Sequence, residues 1–227
     1  LVYTVDGSNG AYEHVGALAP PTLDAGSQFG AAIAACPGLV VATAPGGTGT
    51  AYFFASSAAG PDEQYGFVSS VAGTGSSYGY SVAIASDGAS AHVAVVGTDR
   101  SNGAAYVYAA DGGIPTSSWS LVYTASGGGF WFGQGVAASC SMALSCFVVV
   151  GTPEEHDYTG SARVYAATKA DLSVWSLAVT LVPGHEPGVA TVGAGIRVAT
   201  GYIEASGTTI IVIASEYDSG PSQRSQS

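Results

Sequence analysis

The stretch that decides the fold runs from residue 77 to residue 108 and reads SYGYSVAIASDGASAHVAVVGTDRSNGAAYVY. An aromatic residue followed by glycine, Tyr78-Gly79, stands near its start, and short apolar runs separated by turn signals follow. The runs at 80–85, 92–96 and 103–108 have the length and the Val, Ala and Tyr content of buried strands. Asp87-Gly88, between the first two runs, is a typical tight-turn pair. This stretch therefore predicts successive β-strands.

The same pattern recurs along the chain. Phe29-Gly30, Tyr78-Gly79 and Phe132-Gly133 each open a unit, and Val192-Gly193 opens a weaker one, so that the glycines lie 49, 54 and 60 residues apart. Each opening is followed by an apolar strand and by a second strand that ends in small residues. In the stronger units a third strand of Gly-x-Ala type and a fourth strand follow. Four strands in a unit of about 50 residues predict a blade of a β-propeller.

These motifs resemble the FG-GAP repeat of integrin α-subunit propellers. The residues that carry the resemblance are the aromatic-Gly opening, Ala44-Pro45 or Gly151-Thr152-Pro153 after the second strand, and a third strand such as 103–108 or 160–165. The resemblance implies an all-β propeller, an adhesion role, calcium in the loops between strands one and two, and a partner surface at the opposite loop end. Integrin propellers have seven blades, whereas the repeats here predict about four.

The predicted organisation is a single propeller domain over residues 1–219 with a polar tail or linker at 220–227. Its units are a half-blade at 1–20, blades at 28–73, 78–126 and 132–183, and a half-blade at 192–215. The two halves would form one blade of four antiparallel strands that is split between the chain termini. A closed four-bladed ring, a fragment of a larger ring and a head-to-tail filament all remain open at this point.

Composition excludes several classes of protein. Five Lys and Arg against sixteen Asp and Glu give a net charge of −11, which disfavours nucleic acid and anionic membranes as partners. Apolar runs are strand-sized, so no transmembrane segment is predicted. The scarcity of lysine and the acidic character favour a secreted or extracellular protein.

Metal binding has weak support in the sequence. Although the resemblance implies Ca²⁺, which needs six to eight oxygen ligands, no loop between strands one and two carries two Asp residues. Asp87 is interpreted as a turn residue. Glu154, Glu155 and Asp157, in a loop between strands two and three, are the weak metal candidates. No cofactor is predicted.

The cysteines predict a disulfide. Cys140 and Cys146 flank a short loop at the end of a predicted hairpin, where cross-strand positions bring their Cβ atoms close enough for a bridge. Cys36 follows Gly30 much as Cys140 follows Gly133, and it is expected at the same end of the propeller as a buried residue or as a bond to another chain.

The expected partner-binding residues are polar or aromatic and belong to the other end of the propeller. They are Asp99, Arg100, Trp131, Glu154, Glu155, His156, Asp157, Tyr158, Glu216 and Asp218. A protein or a glycan is the expected partner, and Trp131 and Tyr158 are the candidates for stacking on a sugar.

The sequence predicts a protein that is not an enzyme. The four His residues are scattered, and no Gly-x-Ser-x-Gly elbow is expected at a strand-to-helix turn, since no helix is predicted. The expected function is a non-enzymatic, integrin-like adhesion or structural module that could assemble head-to-tail through its half-blades into a filament. A carbohydrate-binding propeller is the alternative, and a propeller glycoside hydrolase ranks below both.

Overall fold

The computed structural model describes residues 2–5, 10–56, 65–73, 77–99, 103–113, 115–127, 129, 131–141, 145–155, 160–182, 191–203 and 208–217. These residues form an all-β protein, as the sequence predicts. No helix long and apolar enough to cross a membrane occurs in these ranges.

The strands form three four-stranded sheets and two hairpins, and every pairing is antiparallel. The N-terminal hairpin consists of β1 (Val2–Val5) and β2 (Tyr12–Gly16). The first sheet contains β3 (Ile33–Cys36), β4 (Leu39–Ala44), β5 (Thr50–Ser56) and β6 (Tyr65–Ala72). The second contains β7 (Ser81–Ser86), β8 (His92–Gly97), β9 (Ala104–Ala110) and β10 (Trp119–Ser126). The third contains β11 (Val136–Cys140), β12 (Ser145–Thr152), β13 (Ser161–Thr168) and β14 (Asp171–Leu181). The C-terminal hairpin consists of β15 (Thr191–Ile203) and β16 (Thr208–Tyr217).

Each four-stranded sheet is entered through the same turn. The residue before the aromatic has a left-handed backbone in all three sheets: Gln28 (φ 59°), Ser77 (φ 65°) and Trp131 (φ 61°). The glycine after the aromatic is left-handed as well: Gly30 (φ 86°), Gly79 (φ 92°) and Gly133 (φ 90°). Positive φ is strained for side chains other than glycine, so the repeat in sequence is also a repeat in backbone conformation.

This turn fits against a glycine of the preceding sheet. A Cβ atom on Gly49 would lie 2.3 Å from the carbonyl oxygen of Tyr78, and one on Gly103 would lie 2.3 Å from that of Phe132. Gly49 and Gly103 come just before the third strands β5 and β9. The Gly-x-Ala pattern of the third strand is therefore explained by the close approach of the next sheet's entry turn.

The core lies between successive sheets. Tyr78 and Phe132, the repeat aromatics, are buried with apolar residues of both the preceding sheet and their own. The Tyr78 and Tyr108 hydroxyls are hydrogen-bonded at 2.8 Å, and burial raises the pKa of both phenols above the ordinary value. Trp119 of β10 stacks on Phe53 of the first sheet with ring centroids 4.5 Å apart. The repeat aromatics Tyr78 and Phe132 thus pack between successive sheets.

The sheets follow one another in phase. The first strands β3, β7, β11 and β15 contact one another in that order, and the outer strands β6, β10 and β14 do the same. The C-terminal hairpin continues the series, because Val198, Ile211 and Ile213 pack on Val149 and Val164 of the third sheet.

The split blade expected from the two termini is not present as one sheet. The N-terminal and C-terminal hairpins are separate two-stranded sheets, and no closed ring is found among the described residues. The outward face of the first sheet is covered instead by Leu18, Phe29 and Tyr65. The side chains of Val40, Ala42 and Phe54 on that face are thus buried within the chain, beneath half-buried Leu18 and Phe29.

Candidate interaction surface

Trp131 and Asp99 belong to neighbouring segments at one end of the stacked sheets. Asp99 follows β8, and the glycine that precedes β9, Gly103, lies against the backbone of Phe132, the residue after Trp131. The Trp131 side chain is 46% exposed even though its backbone is part of the tight entry turn. The structure thus brings an exposed indole to the same end as Asp99.

Glu155, in the connection from β12 to β13, is tied into the fold. Its Oε2 accepts hydrogen bonds from Thr152 Oγ1 at 3.0 Å and from Ser161 Oγ at 2.5 Å. Its Oε1 forms an ion pair with Arg163 of β13. This carboxylate therefore orders the connection, which weakens its candidacy as a metal ligand or as a free partner-binding charge.

Arg163 links that acidic connection to the entry turn of its own sheet. Its guanidinium carbon lies 5.6 Å from the ring centroid of Phe132, and its Nη2 donates to the Gly127 carbonyl at 3.3 Å. A guanidinium near an aromatic ring and a carboxylate is stabilised by both. Sequence reasoning missed this residue. The available signal was an arginine at the third-strand position where the other sheets have Tyr52 and Tyr106.

Equivalent clefts open beside the outer strands of the second and third sheets. One is a cleft of about 610 Å³ lined by Glu155, Arg163, Leu177, Thr180 and Val182. The other, of about 530 Å³, is lined by Val71, Ala72, Gly73, Tyr78, Tyr106, Tyr108, Leu121 and Thr124. Leu121 and Leu177 pair with Tyr108 and Tyr165 next to a strand irregularity in each sheet. The clefts are therefore a repeated feature of the two sheets. Arg163 in the third sheet occupies the place that Tyr106 has in the second.

The remaining candidates divide into described and undescribed residues. Glu154 is half-buried beside Glu155, and Glu216 lies on β16, where only its backbone pairing with Val192 is described. Five candidates lie outside the described residues: Arg100, His156, Asp157, Tyr158 and Asp218. Asp99, Trp131, Glu154 and Glu155 are therefore the candidates whose environment is known.

Asp87, in the loop between β7 and β8, is confirmed as a turn residue. Its Oδ1 accepts the backbone N–H groups of Ala89, Ser90 and Ala91 at 2.9–3.0 Å, and its Oδ2 pairs with Lys169 of the third sheet. Burial alone would raise the pKa of this carboxyl, but Lys169 and the three N–H donors hold it well below its ordinary value. A lysine ammonium therefore compensates this carboxylate in a loop where the family resemblance implies calcium. No group of three or more His, Cys, Asp or Glu side chains suited to a metal was found in the described part of the chain.

His92 closes the same hairpin. Its Nδ1 lies 2.9 Å from Ser86 Oγ, its cross-strand partner, and the side chain is buried. Burial lowers the pKa of the imidazole, and the nearby Asp87 carboxylate only partly opposes this effect. The pKa of His92, at the end of the sheets opposite to Trp131, is therefore lower than that of an ordinary histidine.

The predicted disulfide is present. Cys140 and Cys146 are register partners at the end of the β11–β12 hairpin, and their sulfur atoms are bonded. Cys36 ends the first strand of its sheet as Cys140 does, and it pairs with Leu39. It is a free, half-buried thiol, and burial raises its pKa to about 11. A disulfide is compatible with a non-cytoplasmic location.

Comparison of the chain with protein-family models and with curated protein sequences found no match. The FG-GAP resemblance therefore rests on the repeated motifs alone.

Proposed function

We propose that this chain is a non-enzymatic, extracellular interaction or structural module of the propeller type, which binds a partner protein through the end that carries Trp131. The observation that carries the proposal is the in-phase stacking of the sheets through one repeated entry turn. In such a stack, the connections between strands two and three all lie at one end. Connections of this kind vary freely on a rigid scaffold and commonly carry binding residues.

The chemistry of that end favours a partner with a basic surface. Asp99 and Glu154 provide carboxylates there, and Trp131 provides an exposed aromatic anchor. Tryptophan is enriched among the residues that dominate binding energy, and acidic surroundings attract a basic partner over a distance. The disulfide is in keeping with an extracellular setting.

The experiment is a binding screen of the purified chain against an array of recombinant extracellular domains. Trp131→Ala and Glu154→Lys should each weaken the strongest interaction by about tenfold or more. Val174→Asp, on the outer strand β14, is the matched control and should leave binding unchanged. Failure of the unmodified chain to bind any domain, or equal binding by all variants, would contradict the proposal.

A glycan is the second candidate partner, and the exposure of Trp131 is the observation that favours it. An indole whose backbone is fixed in a turn can stack on a sugar ring with little loss of conformational entropy. A glycan array distinguishes the two candidates. Binding to a defined glycan that Trp131→Ala abolishes would replace the protein partner, whereas an array without hits would remove the glycan.

A further inference from the structure

The second strand of each four-stranded sheet is buried on both faces. β16, the second strand of the C-terminal hairpin, is covered on one face only. All residues of β4 and β8 are buried, as are most of β12. β16 instead alternates along its described side chains, with Ile211 and Ile213 packed on the third sheet and Ile210 and Val212 exposed at 45% and 55%. The C-terminal hairpin therefore has a covered face and an uncovered apolar face.

The rest of the fold indicates what covers such a face. Ala94 and Val96 of β8 pack toward the first sheet, whereas Val93 and Val95 pack toward the third sheet. A second strand is thus placed between the sheet before it and the sheet after it. No sheet of the described residues packs on the face of β16 that carries Ile210 and Val212.

Among the described residues, the C-terminal hairpin has two strands where the complete sheets have four. The three complete sheets have the order first, second, third and fourth strand, whereas in the part of the chain that the structure describes β16 pairs with β15 alone. The sequence of the N-terminal hairpin resembles the third and fourth strands of a complete sheet. Residues 2–7 contain Tyr, Val and a closing Asp-Gly pair, as do residues 106–112, which include most of the third strand β9. β1–β2 placed beside β16 would give a sheet of the usual four strands.

Within one chain the two hairpins remain separate sheets. The outward face of the first sheet is already covered by Leu18, Phe29 and Tyr65, while Ile210 and Val212 are exposed. Leu18 and Phe29 are themselves half-buried, so they present apolar surface to whatever lies beyond them.

We propose that a second copy of this chain completes the C-terminal hairpin. Its β1–β2 hairpin pairs with the edge of β16, and its first sheet, with Leu18 and Phe29 outermost, covers Ile210 and Val212. The contact joins two different surfaces, so it repeats head-to-tail and generates a ring or an open fibre. This inference rests on the proposed function as an interaction or structural module, and it names the chain itself as one partner.

Charge makes the assembly sensitive to salt. Each copy carries a net charge of −11, so copies repel one another at low ionic strength. Salt screens this repulsion, with a Debye length of about 10 Å at 0.1 M. Association should therefore strengthen as the salt concentration rises.

The test is sedimentation equilibrium of the full chain over a wide concentration range at low and high salt. The weight-average mass should rise above 22.4 kDa with concentration, and more steeply at high salt. Val212→Asp, which places a charge in the contact, should weaken association by about tenfold or more. Val174→Asp, at a 65% exposed position on β14, is the matched control and should associate like the unmodified chain.

A chain that remains a monomer at all concentrations and salt levels would overturn the inference, as would equal association of the two variants. A monomer that still binds an extracellular domain through Trp131 would overturn self-assembly while leaving the proposed function intact. The inference would also be overturned if the chain is a monomer whose unfolding temperature is lowered by Val212→Asp but not by Val174→Asp. In that case the face of β16 that carries Val212 would be covered within one chain.

Discussion

The Thr43 hydroxyl donates a 2.6 Å hydrogen bond to the carbonyl oxygen of Gly79, joining the first sheet to the entry turn of the second. At the next interface the corresponding carbonyl, that of Gly133, accepts a 2.6 Å hydrogen bond from Ser81. Thr43 lies on β4, whereas Ser81 lies on β7. The carbonyl oxygens of Gly79 and Gly133 occupy equivalent places in the two entry turns. The first accepts from a hydroxyl on a second strand, and the other accepts from a hydroxyl on a first strand.

Removal of the Thr43 hydroxyl should destabilise the protein. Thr43→Val keeps the shape of the side chain but leaves the buried Gly79 carbonyl without this donor, so the free energy of unfolding should fall by about 1–2 kcal/mol. Urea denaturation measures the change. Thr124→Val, at an exposed position of β10, is the control and should differ little from the unmodified protein. Equal losses in the two variants would contradict this role for Thr43.

A methyl group on Gly103 should separate the second and third sheets. The Cβ atom of Gly103→Ala would meet the Phe132 backbone nitrogen at 2.7 Å and its carbonyl oxygen at 2.3 Å. Backbone atoms cannot rotate away, so a loss of about 3 kcal/mol in thermal or urea unfolding is expected. Gly66→Ala on β6 meets nothing within 4 Å and should be neutral or slightly stabilising. A neutral Gly103→Ala would show that the sheets are not in contact there.

Reduction of the disulfide should cost about 2 kcal/mol of stability, because the bond closes a short loop in the unfolded chain. The measurement is urea unfolding of Cys36→Ala with and without a reductant, since that background has no competing thiol. The further removal of Cys140 and Cys146 as a pair should abolish the effect of the reductant. An unfolding midpoint that does not respond to reductant in Cys36→Ala would contradict the prediction.

Stability should decline on mild acidification because of His92. Its pKa in the folded protein lies below the ordinary value of 6.5, so the unfolded chain binds the proton more tightly than the folded chain. The free energy of unfolding should therefore be level above about pH 6.5 and fall as the pH drops below it.

Chemical denaturation between pH 8 and pH 5 measures this slope, which His92→Gln should flatten. His14→Gln, at an exposed position of β2, is the matched control and should retain the slope of the unmodified protein. A slope unchanged in His92→Gln would assign the pH dependence to other groups.

Much of the local structure could be predicted from the sequence, because the information is carried by neighbouring residues. Apolar runs bounded by glycine and Asp-Gly predict the strands, and the spacing of Phe29, Tyr78 and Phe132 predicts where each sheet begins. Cys140 and Cys146 could be paired since a short hairpin brings its ends together. These features depend on backbone geometry and chain length, and they do not need knowledge of the neighbouring sheet.

Only the tertiary structure decided the contacts between sheets. Lys169 pairs with Asp87 of another sheet, and Arg163 lies between Glu155 and Phe132. The Thr43 and Ser81 hydroxyls reach carbonyl oxygens that are 36 and 52 residues away in sequence. The uncovered face at Ile210 and Val212 belongs to this group as well. The run from Ile210 to Ile213 is apolar on both faces in sequence, like the buried strand β8, and whether each face is covered is decided only when a sheet packs, or fails to pack, on that side.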